Sequence, residues 1–269
     1  GVEIVRQMIN QLDPAKLKGT VVAVPIVNVF GFIHKSRYLP DRRDLNRCFP
    51  GSEKGALASR MAYGFFNNIA KRCDYILDLH TGAIHRTNLP QIRANLSNPE
   101  TLRIAKAFAT PVIVDSALRD GSLRSEAEKC EIPVLTYEAG EALRFDPLSI
   151  SAGVLGVQRV MQAIGMLRAS RKKLPEPIIA KSTSWVRAPG NGILRTVVNL
   201  GDKVEEGETL AYISSPLGHD ELELLAPKGG IVIGQQTLPL VNEGDAIFHI
   251  AYFKQDDEMV EQTAVSYTH

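Results

Sequence analysis

The sequence predicts an α/β domain, built on a mainly parallel, mixed sheet flanked by helices, and then a small all-β domain. Two observations lead to this prediction. Up to about residue 170, short apolar runs alternate with stretches whose apolar residues recur at helical spacing, which is typical of a sheet covered by helices. Over residues 185–253 the helical spacing disappears, and short β-type runs are separated by turn residues.

These observations divide the chain into four parts. The α/β domain covers residues 1–170, and a charged, Pro-containing stretch over residues 171–184 has the composition of a linker. The small all-β domain covers residues 185–253, and a polar tail follows over residues 254–269. The first helical pattern starts at Gly1 without an initiator Met or a cap residue, so we expect that an N-terminal piece of the natural chain precedes it.

The elements of the α/β domain follow from apolar spacing and from helix-start signals. Asn98-Pro99 and Ser122 each precede a helical pattern, and these residue types suit the start of a helix. In chain order we predict a helix over 1–12, a strand over 20–29, a long loop over 31–55, a helix over 57–72, strands over 75–79 and 91–96, a helix from Asn98 or Pro99, a strand over 111–115, a helix from Ser122, a strand that ends at Glu138-Ala139-Gly140, and a helix over 149–169.

The small β domain contains an internal repeat. The motif APGNGIL at Ala188 returns as APKGGIV at Ala226, and NLGDKVEEGETLAYI is partly repeated as LVNEGDAIFHI. This pattern resembles the barrel-sandwich fold of biotinyl and lipoyl carrier domains, in which two similar halves present a modified lysine on a hairpin. The equivalent hairpin, over residues 214–225, contains no lysine. We therefore interpret this domain as a β module that packs against the first domain or shapes its site.

Composition excludes several classes of partner. The chain has 31 basic and 30 acidic residues, a formal net charge of +1, whereas binding to nucleic acid or to an anionic membrane needs a concentrated basic face. No apolar run reaches the roughly 20 residues that cross a bilayer. Cys48, Cys73 and Cys130 are too few and too scattered for a disulfide framework. We expect reduced thiols and a cytoplasmic protein.

Ionisable residues end two of the predicted strands, which is where ligands bind in open α/β sheets. DLHTG places Asp78 and His80 at the end of one strand, and TYEAGE places Glu138 at the end of another. The long loop before them contains SRYLPDRRDLNRCFPG, which is dense in arginine, and such loops are often functional. Each feature alone has a plainer interpretation. A histidine after a strand is often a loop residue, and an acid at a strand end can cap the next helix. An arginine-rich loop is often a solvated surface, in which Asp44 or Asp78 pairs with arginine. Together they favour a site.

The strings DLNRCFPG, DLHTG and EAG, in this order, resemble the succinylglutamate desuccinylase/aspartoacylase family, a branch of the zinc carboxypeptidase superfamily. The resemblance covers nearly the whole chain and implies a carboxypeptidase-like α/β domain followed by a small β domain. It also implies one Zn²⁺ per subunit and hydrolysis of the linear amide bond of a small N-acylated amino acid. The oligomeric state is not readable, and a homo-oligomer is compatible with the sequence.

The same resemblance implies roles for individual residues. Glu138 is expected to act as the general base that takes a proton from water and passes it to the leaving amine. Arg37 is expected to polarise the scissile carbonyl and to stabilise the oxyanion. Asn46 and Arg47 are expected to hold the carboxylate of the substrate. Arg124 is a weaker candidate for a second carboxylate contact, and its alternative is a helix-surface charge.

The implied zinc site is only partly represented in the sequence. The resemblance makes His80 the third zinc ligand, with Asp78 as its hydrogen-bonding partner or as a structural acid. The family takes its first two ligands from a His-x-x-Glu element, and none of the six histidines here is followed three residues later by Glu. Either that element lies upstream of Gly1, which the retained loop arginines and Glu138 favour, or the protein has lost the metal and binds a carboxylate without catalysis. A metallocarboxypeptidase that acts on peptides is the alternative enzyme.

Overall fold

The computed structural model describes residues 1–170 and 174–253; the predicted tail over residues 254–269 and the first three residues of the predicted linker lie outside the described residues. The α-helices are α1 (Val2–Gln11), α2 (Val29–Ile33), α3 (Leu57–Asn68), α4 (Pro99–Phe108), α5 (Leu123–Glu128) and α6 (Pro147–Ala163). The strands are β1 (Ile76–Gly82), β2 (Arg86–Ala94), β3 (Val112–Asp115), β4 (Val134–Glu141), β5 (Ile178–Ala180), β6 (Ser182–Arg187), β7 (Gly192–Thr196), β8 (Lys203–Val204), β9 (Thr209–Ser214), β10 (Leu222–Leu225), β11 (Gly230–Gln236), β12 (Leu240–Val241) and β13 (Ala246–Tyr252).

Side-chain caps mark the helix starts that the sequence predicted. The Asn98 carboxamide oxygen accepts hydrogen bonds from the backbone N–H groups of Glu100 and Thr101, at 2.9 and 3.1 Å. The Ser122 hydroxyl accepts one from Ser125 N–H at 3.1 Å. Both predicted starts are confirmed, because each cap satisfies N–H groups that the first helical turn leaves without partners.

The last helix of the α/β region is shorter than predicted. α6 ends at Ala163, whereas the apolar pattern suggested that it continues to residue 169. Gly165 has a φ of 81°, the left-handed conformation that commonly ends a helix. The backbone then turns back, and Met166 N–H donates to Met161 O at 2.8 Å.

The predicted strand over residues 20–29 is wrong. Residues 20–28 form no strand, and the short helix α2 begins at Val29. A β-rich segment needs a neighbouring strand for its backbone hydrogen bonds, and within the described residues no strand pairs with the outer side of β1, which forms the edge of the sheet. Val22 is accordingly 57% exposed.

The central sheet is mixed, as predicted. β1 pairs with β4 in parallel, β4 with β2 in antiparallel, and β2 with β3 and β3 with β5 in parallel. Helices α1, α4 and α6 cover one face over a core that includes Ile92, Leu135 and Tyr137. Part of the predicted linker belongs to the central sheet instead, because Ile178–Ala180 forms β5 beside β3.

The C-terminal β region packs as two sheets around its own apolar core, which includes Leu210, Ile213, Val232 and Ile247. A short strand from each repeat pairs with a strand of the other repeat. In the first sheet β8 pairs with β11 (Gly230 opposite Val204), and in the second β12 pairs with β7 (Gly192 opposite Val241). The repeat in sequence is thus matched by a repeated pairing in space.

One strand joins the two regions. The first residues of β2 pair with β11, and its last residues pair with β3, so the C-terminal strands β11, β13 and β6 continue the central sheet. Side chains from the C-terminal region can therefore stand on the same sheet face as those of β1 and β4. In the described residues, no helix has the length and apolar character required to cross a bilayer.

Candidate active site

The predicted acids and histidine stand together on one face of the sheet. His80 lies opposite Glu138 in the register of β1 and β4, and Asp78 lies opposite Thr136. Alternate residues of a strand point to the same face, and the intervening Leu79 packs into the helix-covered core. Asp78, His80 and Glu138 therefore project from the opposite face, towards the arginine-rich loop.

His80 is tied to Asp78. Its Nε2 lies 2.8 Å from Asp78 Oδ2, and both side chains are about one-quarter exposed, at 28% and 24%. The Asp78 carboxylate raises the pKa of His80 to about 9, with a smaller contribution from Glu138, while burial and the charge of Arg37 act in the opposite direction. The predicted contact between these two side chains is thus present.

Glu138 is held by a residue that the motifs did not identify. Asn88, from β2, donates a hydrogen bond through Nδ2 to Glu138 Oε2 at 3.1 Å. The two residues lie 50 positions apart in the chain, and the antiparallel pairing of β2 with β4 brings them together. An Asn within the partly polar strand β2 is the only sequence signal for this contact.

The arginine-rich loop is ordered by Asp44. This carboxylate accepts hydrogen bonds from Arg37 Nε at 2.9 Å and from Asn46 N–H at 2.9 Å, and Arg37 Nη2 lies 2.8 Å from it. Asn28 Nδ2 donates to Arg37 O at 3.2 Å. The Arg37 side chain stays 55% exposed. The pairing with Asp44 restricts the positions that the Arg37 guanidinium can occupy.

Asn46 and Arg47 sit where this loop docks on the start of α5. The Asn46 carboxamide oxygen accepts from Leu123 N–H at 2.8 Å. The Arg47 side chain is exposed and donates to Asn46 O. Partial burial, followed by the charges of Arg119 and Arg37, lowers the pKa of Arg47, while Asp44 opposes this shift. The local surface is positively charged and suits an anion.

A cavity of about 210 Å³ lies between the loop and the sheet. Four of the predicted residues line it, namely Arg37, Asn46, Asp78 and His80, together with Val27, Asn28, Asp44, Leu45, Phe49, Phe65 and Leu123. Glu138 is adjacent through its register with His80 but is not part of the lining. Arg47 and Arg124 also lie outside it.

Arg124 is not a free surface charge. Its Nη2 donates to Ser116 Oγ at 3.1 Å and to Ala117 O at 2.8 Å. Burial lowers the pKa of Arg124, and the nearby charge of Arg93 lowers it further, against the effect of surrounding acids that include Glu138. Arg124 thus lies close to the sheet face that carries Glu138.

A larger cavity of about 250 Å³ contains none of the predicted residues. It lies where the two regions meet, and most of its lining is apolar, including Leu89, Val112, Ile178 and Leu200. It brings no acid–base pair and no arginine together, so the chemistry favours the smaller cavity.

The described residues do not form a complete metal site. Within them, no group of three His, Cys, Asp or Glu side chains is arranged to hold a metal ion, whereas a catalytic zinc has three protein ligands. His80 and Asp78 supply one imidazole and one carboxylate, already in contact with each other. Gly1 packs against Leu79, the neighbour of His80 in β1.

Comparisons with known proteins extend these observations. The succinylglutamate desuccinylase/aspartoacylase catalytic domain model matches residues 1–164. The chain is 26% identical over 269 residues to an N-alpha-acetyl-L-2,4-diaminobutyric acid deacetylase of Halomonas elongata, covering 93% of this chain and 78% of that protein.

Solved structures agree in fold. A succinylglutamate desuccinylase/aspartoacylase from Rhodobacter sphaeroides superposes with a TM-score of 0.82 at 26% identity, over 94% of this chain and 81% of that one. The product-bound ectoine utilization protein EutE (DoeB) from Ruegeria pomeroyi gives 0.83 at 23% identity, with the same coverage of 94% and 81%. From its first helix to the end of α6, the chain belongs to the succinylglutamate desuccinylase/aspartoacylase family.

Proposed function

We propose that this protein hydrolyses the amide bond of a small N-acyl amino acid, as a zinc-dependent deacylase. The observation that carries the proposal is the register of β1 and β4, which puts Glu138 beside His80 at the edge of a cavity lined by Arg37 and Asn46. An acid–base group thus stands next to a small space that is lined by donors for a carbonyl and a carboxylate.

The residues of the chain account for the proton and charge movements of amide hydrolysis. Water adds to the acyl carbon, the C–N bond breaks, and one proton moves from the water to the departing nitrogen. Glu138, held by Asn88, is suited to carry that proton. Arg37 keeps N–H donors beyond those used on Asp44, because a guanidinium has five, and these are suited to the developing oxyanion.

Asn46 and Arg47 are suited to hold the carboxylate of the amino acid. The Asn46 oxygen is committed to Leu123 N–H, so its amide N–H₂ is the part that can face a ligand. Arg47 adds an exposed positive charge on the same loop. The cavity of about 210 Å³ is small, which favours a single derivatised amino acid over a peptide chain. The named activity of the relative from Halomonas elongata, on an N-acetylated diamino acid, is of this class.

Zinc is part of the proposal because of the family to which the chain belongs. His80 is the one candidate ligand in the described residues, with Asp78 bonded to it. When bound, the metal would polarise the carbonyl or the attacking water. The described residues do not complete a zinc site, and the roles proposed for Glu138 and Arg37 do not depend on the remaining ligands. A cytoplasmic location is part of the same proposal, and the three free cysteines are consistent with it.

A substrate panel on the full-length natural protein tests the proposal. Release of amine from N-acyl amino acids is compared with cleavage of C-terminal residues from peptides, each with and without added zinc. We expect turnover of N-acyl amino acids that depends on zinc. Preferential cleavage of peptides would favour the carboxypeptidase alternative. Carboxylate binding with no turnover, in protein loaded with stoichiometric zinc, would favour a non-catalytic binding protein.

A further inference from the structure

The central sheet splits beside the larger cavity. On one side of β2, residues 86–88 pair with β11 and residues 91–94 pair with β3, so the neighbouring strand changes at Leu89 and Pro90. On the other side of β2, the register with β4 shifts at the same place. Proline has no N–H group to donate, so Pro90 suits a position where the ladder is interrupted. The gap between β11 and β3 is therefore built into the order of the strands.

Buried apolar side chains from four strands line the cavity of about 250 Å³ in this gap. Four of them, one from each strand, are at most 9% exposed, namely Leu89, Val112, Ile178 and Ile231. Gly201, from the loop before β8, also lines the cavity, and a Cβ there would lie at an ordinary contact distance of 3.5 Å from Leu89 Cδ1. The space beside Leu89 is thus wide enough for a further carbon atom. An apolar cavity costs stability in a close-packed interior, and a molecule that fills it restores the lost contacts.

The lining favours an uncharged ligand. Among the described residues, Asp146 is the only charged residue that lines the cavity. Its carboxylate accepts a hydrogen bond from Ser149 N–H as the N-cap of α6, and the partial positive charge of the helix N-terminus offsets it. The other polar lining groups belong to Thr87, Asn88 and Ser149, and these side chains are neutral. An ion would lose its water here without gaining a full opposite charge.

The volume of the cavity restricts the ligand to a small molecule. An apolar cavity of about 150 Å³ holds benzene, and pockets for larger ligands reach roughly 300 to 1,000 Å³. The present cavity, at about 250 Å³, lies between these values. A single ring with a short hydroxyl-bearing chain, about ten non-hydrogen atoms in all, fits this range. A ring fills the apolar part at a low cost in conformational entropy, and a hydroxyl suits the polar groups of Thr87, Asn88 and Asp146.

Asn88 connects this cavity with the active site. It lines the larger cavity, and its Nδ2 donates to Glu138 Oε2 at 3.1 Å. Within the described chain the two cavities share no lining residue, so a molecule in the larger one leaves Arg37 and Asn46 free for a substrate. A molecule that packs against Asn88 restricts its carboxamide and, through it, the Glu138 carboxylate.

We propose that the larger cavity is a binding site for a small, uncharged molecule with one apolar ring, and that its occupation acts on Glu138 through Asn88. The site is separate from that of the substrate. The C-terminal β region supplies part of its wall through Ile231 and Gly201. Binding at this site is independent of the proposed function, and only the effect on turnover rests on it.

Calorimetric titration of the full-length protein with two ligands of the same shape tests the site without any turnover. The ligand 3-phenylpropan-1-ol is uncharged, whereas 3-phenylpropylamine is a cation. We expect the alcohol to bind at least about tenfold more tightly than the amine, because a charged group is costly to bury. Equal affinity for the two ligands, or no measurable binding of the alcohol, would overturn the site.

Larger side chains on two walls should block the cavity. Leu200→Trp and Ile178→Phe each add volume at a lining residue, and each should weaken binding of the alcohol at least about tenfold. Leu240→Trp, at a 64% exposed position of β12 outside the lining, is the matched control and should bind like the wild type. Far-UV circular dichroism and thermal melting establish which variants are folded. Unchanged binding in a folded cavity variant would reject the assignment of the ligand to this cavity.

Steady-state kinetics tests the link through Asn88. Saturating 3-phenylpropan-1-ol should alter kcat for an N-acyl amino acid by about twofold or more, with KM unchanged. A rise in KM alone would place the alcohol in the active site and overturn the proposal. Unchanged kcat and KM, with binding seen by calorimetry, would overturn the link to Glu138. Binding without any amide hydrolysis would sustain the site and reject the proposed function.

Discussion

At the scale of single residues, Glu138 depends on a neighbour that is distant in sequence. Asn88 donates to only one of its carboxylate oxygens, at 3.1 Å, so the other stays available to a water molecule or an amine. A base that carries a proton between two partners must be both oriented and accessible. Glu138 is half-buried, which meets both conditions.

Replacement of this carboxylate should remove most of the activity. Glu138→Gln keeps the size of the side chain but cannot accept the proton, so we expect kcat to fall by about 10²- to 10⁴-fold. Steady-state kinetics on the preferred N-acyl amino acid measures the change. Glu131→Gln, at an exposed position just before β4, is the control and should keep normal kcat. Near-normal turnover of the Glu138 variant would show that the proton carrier lies elsewhere.

Loss of the Arg47 side chain should act on binding instead. The Arg47 guanidinium is exposed on the loop beside the cavity, and we propose that it contacts a carboxylate that does not react. Arg47→Ala should therefore raise KM by about tenfold or more, with a much smaller change in kcat. Arg43→Ala removes an exposed arginine from the same loop and should leave KM unchanged. A fall in kcat alone would place Arg47 in the chemical step.

At the scale of elements, the site depends on the docking of one loop on another. The residues around Asn46 and Arg47 pack on the turn before α5, where Phe49 N–H donates to Gly121 O at 2.9 Å. Gly121 has a φ of 74°, and a Cβ there would lie 2.6 Å from Arg47 O. Both the conformation and the close approach therefore require glycine at this position.

Gly121→Ala should disturb this docking. We expect a loss of roughly 1 to 3 kcal/mol in the free energy of unfolding, together with a raised KM, because the clash displaces the Arg47 backbone. Gly207→Ala is the matched control: its φ is 80°, but a Cβ there meets nothing within 4 Å. It should show the conformational strain without the effect on KM. Urea unfolding and kinetics of both variants measure the difference, and identical behaviour would exclude the clash.

The segment over residues 20–29 shows why one predicted strand was wrong. Residues 20–29 have the β-branched composition of a strand, yet they form none. This composition suits a segment to strand pairing, but it does not supply the neighbouring strand with which to pair. The helices of this region were predictable because caps such as Ser122 and Asn98 act on N–H groups two or three residues away.

At the scale of the whole molecule, His249 links the two regions through a buried polar contact. It is 6% exposed, it faces Arg93 of β2, and it stacks on Trp185. Burial, followed by the charge of Arg93, lowers the pKa of His249 to about 3. The native protein therefore keeps this imidazole neutral at pH values where the unfolded chain, with an ordinary histidine pKa near 6.5, binds a proton.

This difference makes stability depend on pH in a defined direction. The contribution of His249 is complete above about pH 6.5 and is lost as the pH falls towards 3, reaching about 2 kcal/mol of destabilisation by pH 5. His249→Gln retains an acceptor for Arg93 but does not titrate. Its free energy of unfolding should fall less steeply between pH 7 and 5 than that of the wild type, as measured by urea titrations. Equal slopes would contradict the assignment.

Taken alone, the sequence determined the class of fold and the capped helix starts at Asn98 and Ser122, and it proposed the residues of the site. These features are local: apolar periodicity, caps, and short strings such as DLHTG are read within a few residues. Tertiary structure decided the contacts made across strands. Asn88 with Glu138, Asn46 with Leu123, and Arg93 with His249 depend on strand register and loop docking, which join residues 50 to 156 positions apart. No local pattern encodes such a pairing, because it is the packing of the whole sheet that sets which strands are neighbours.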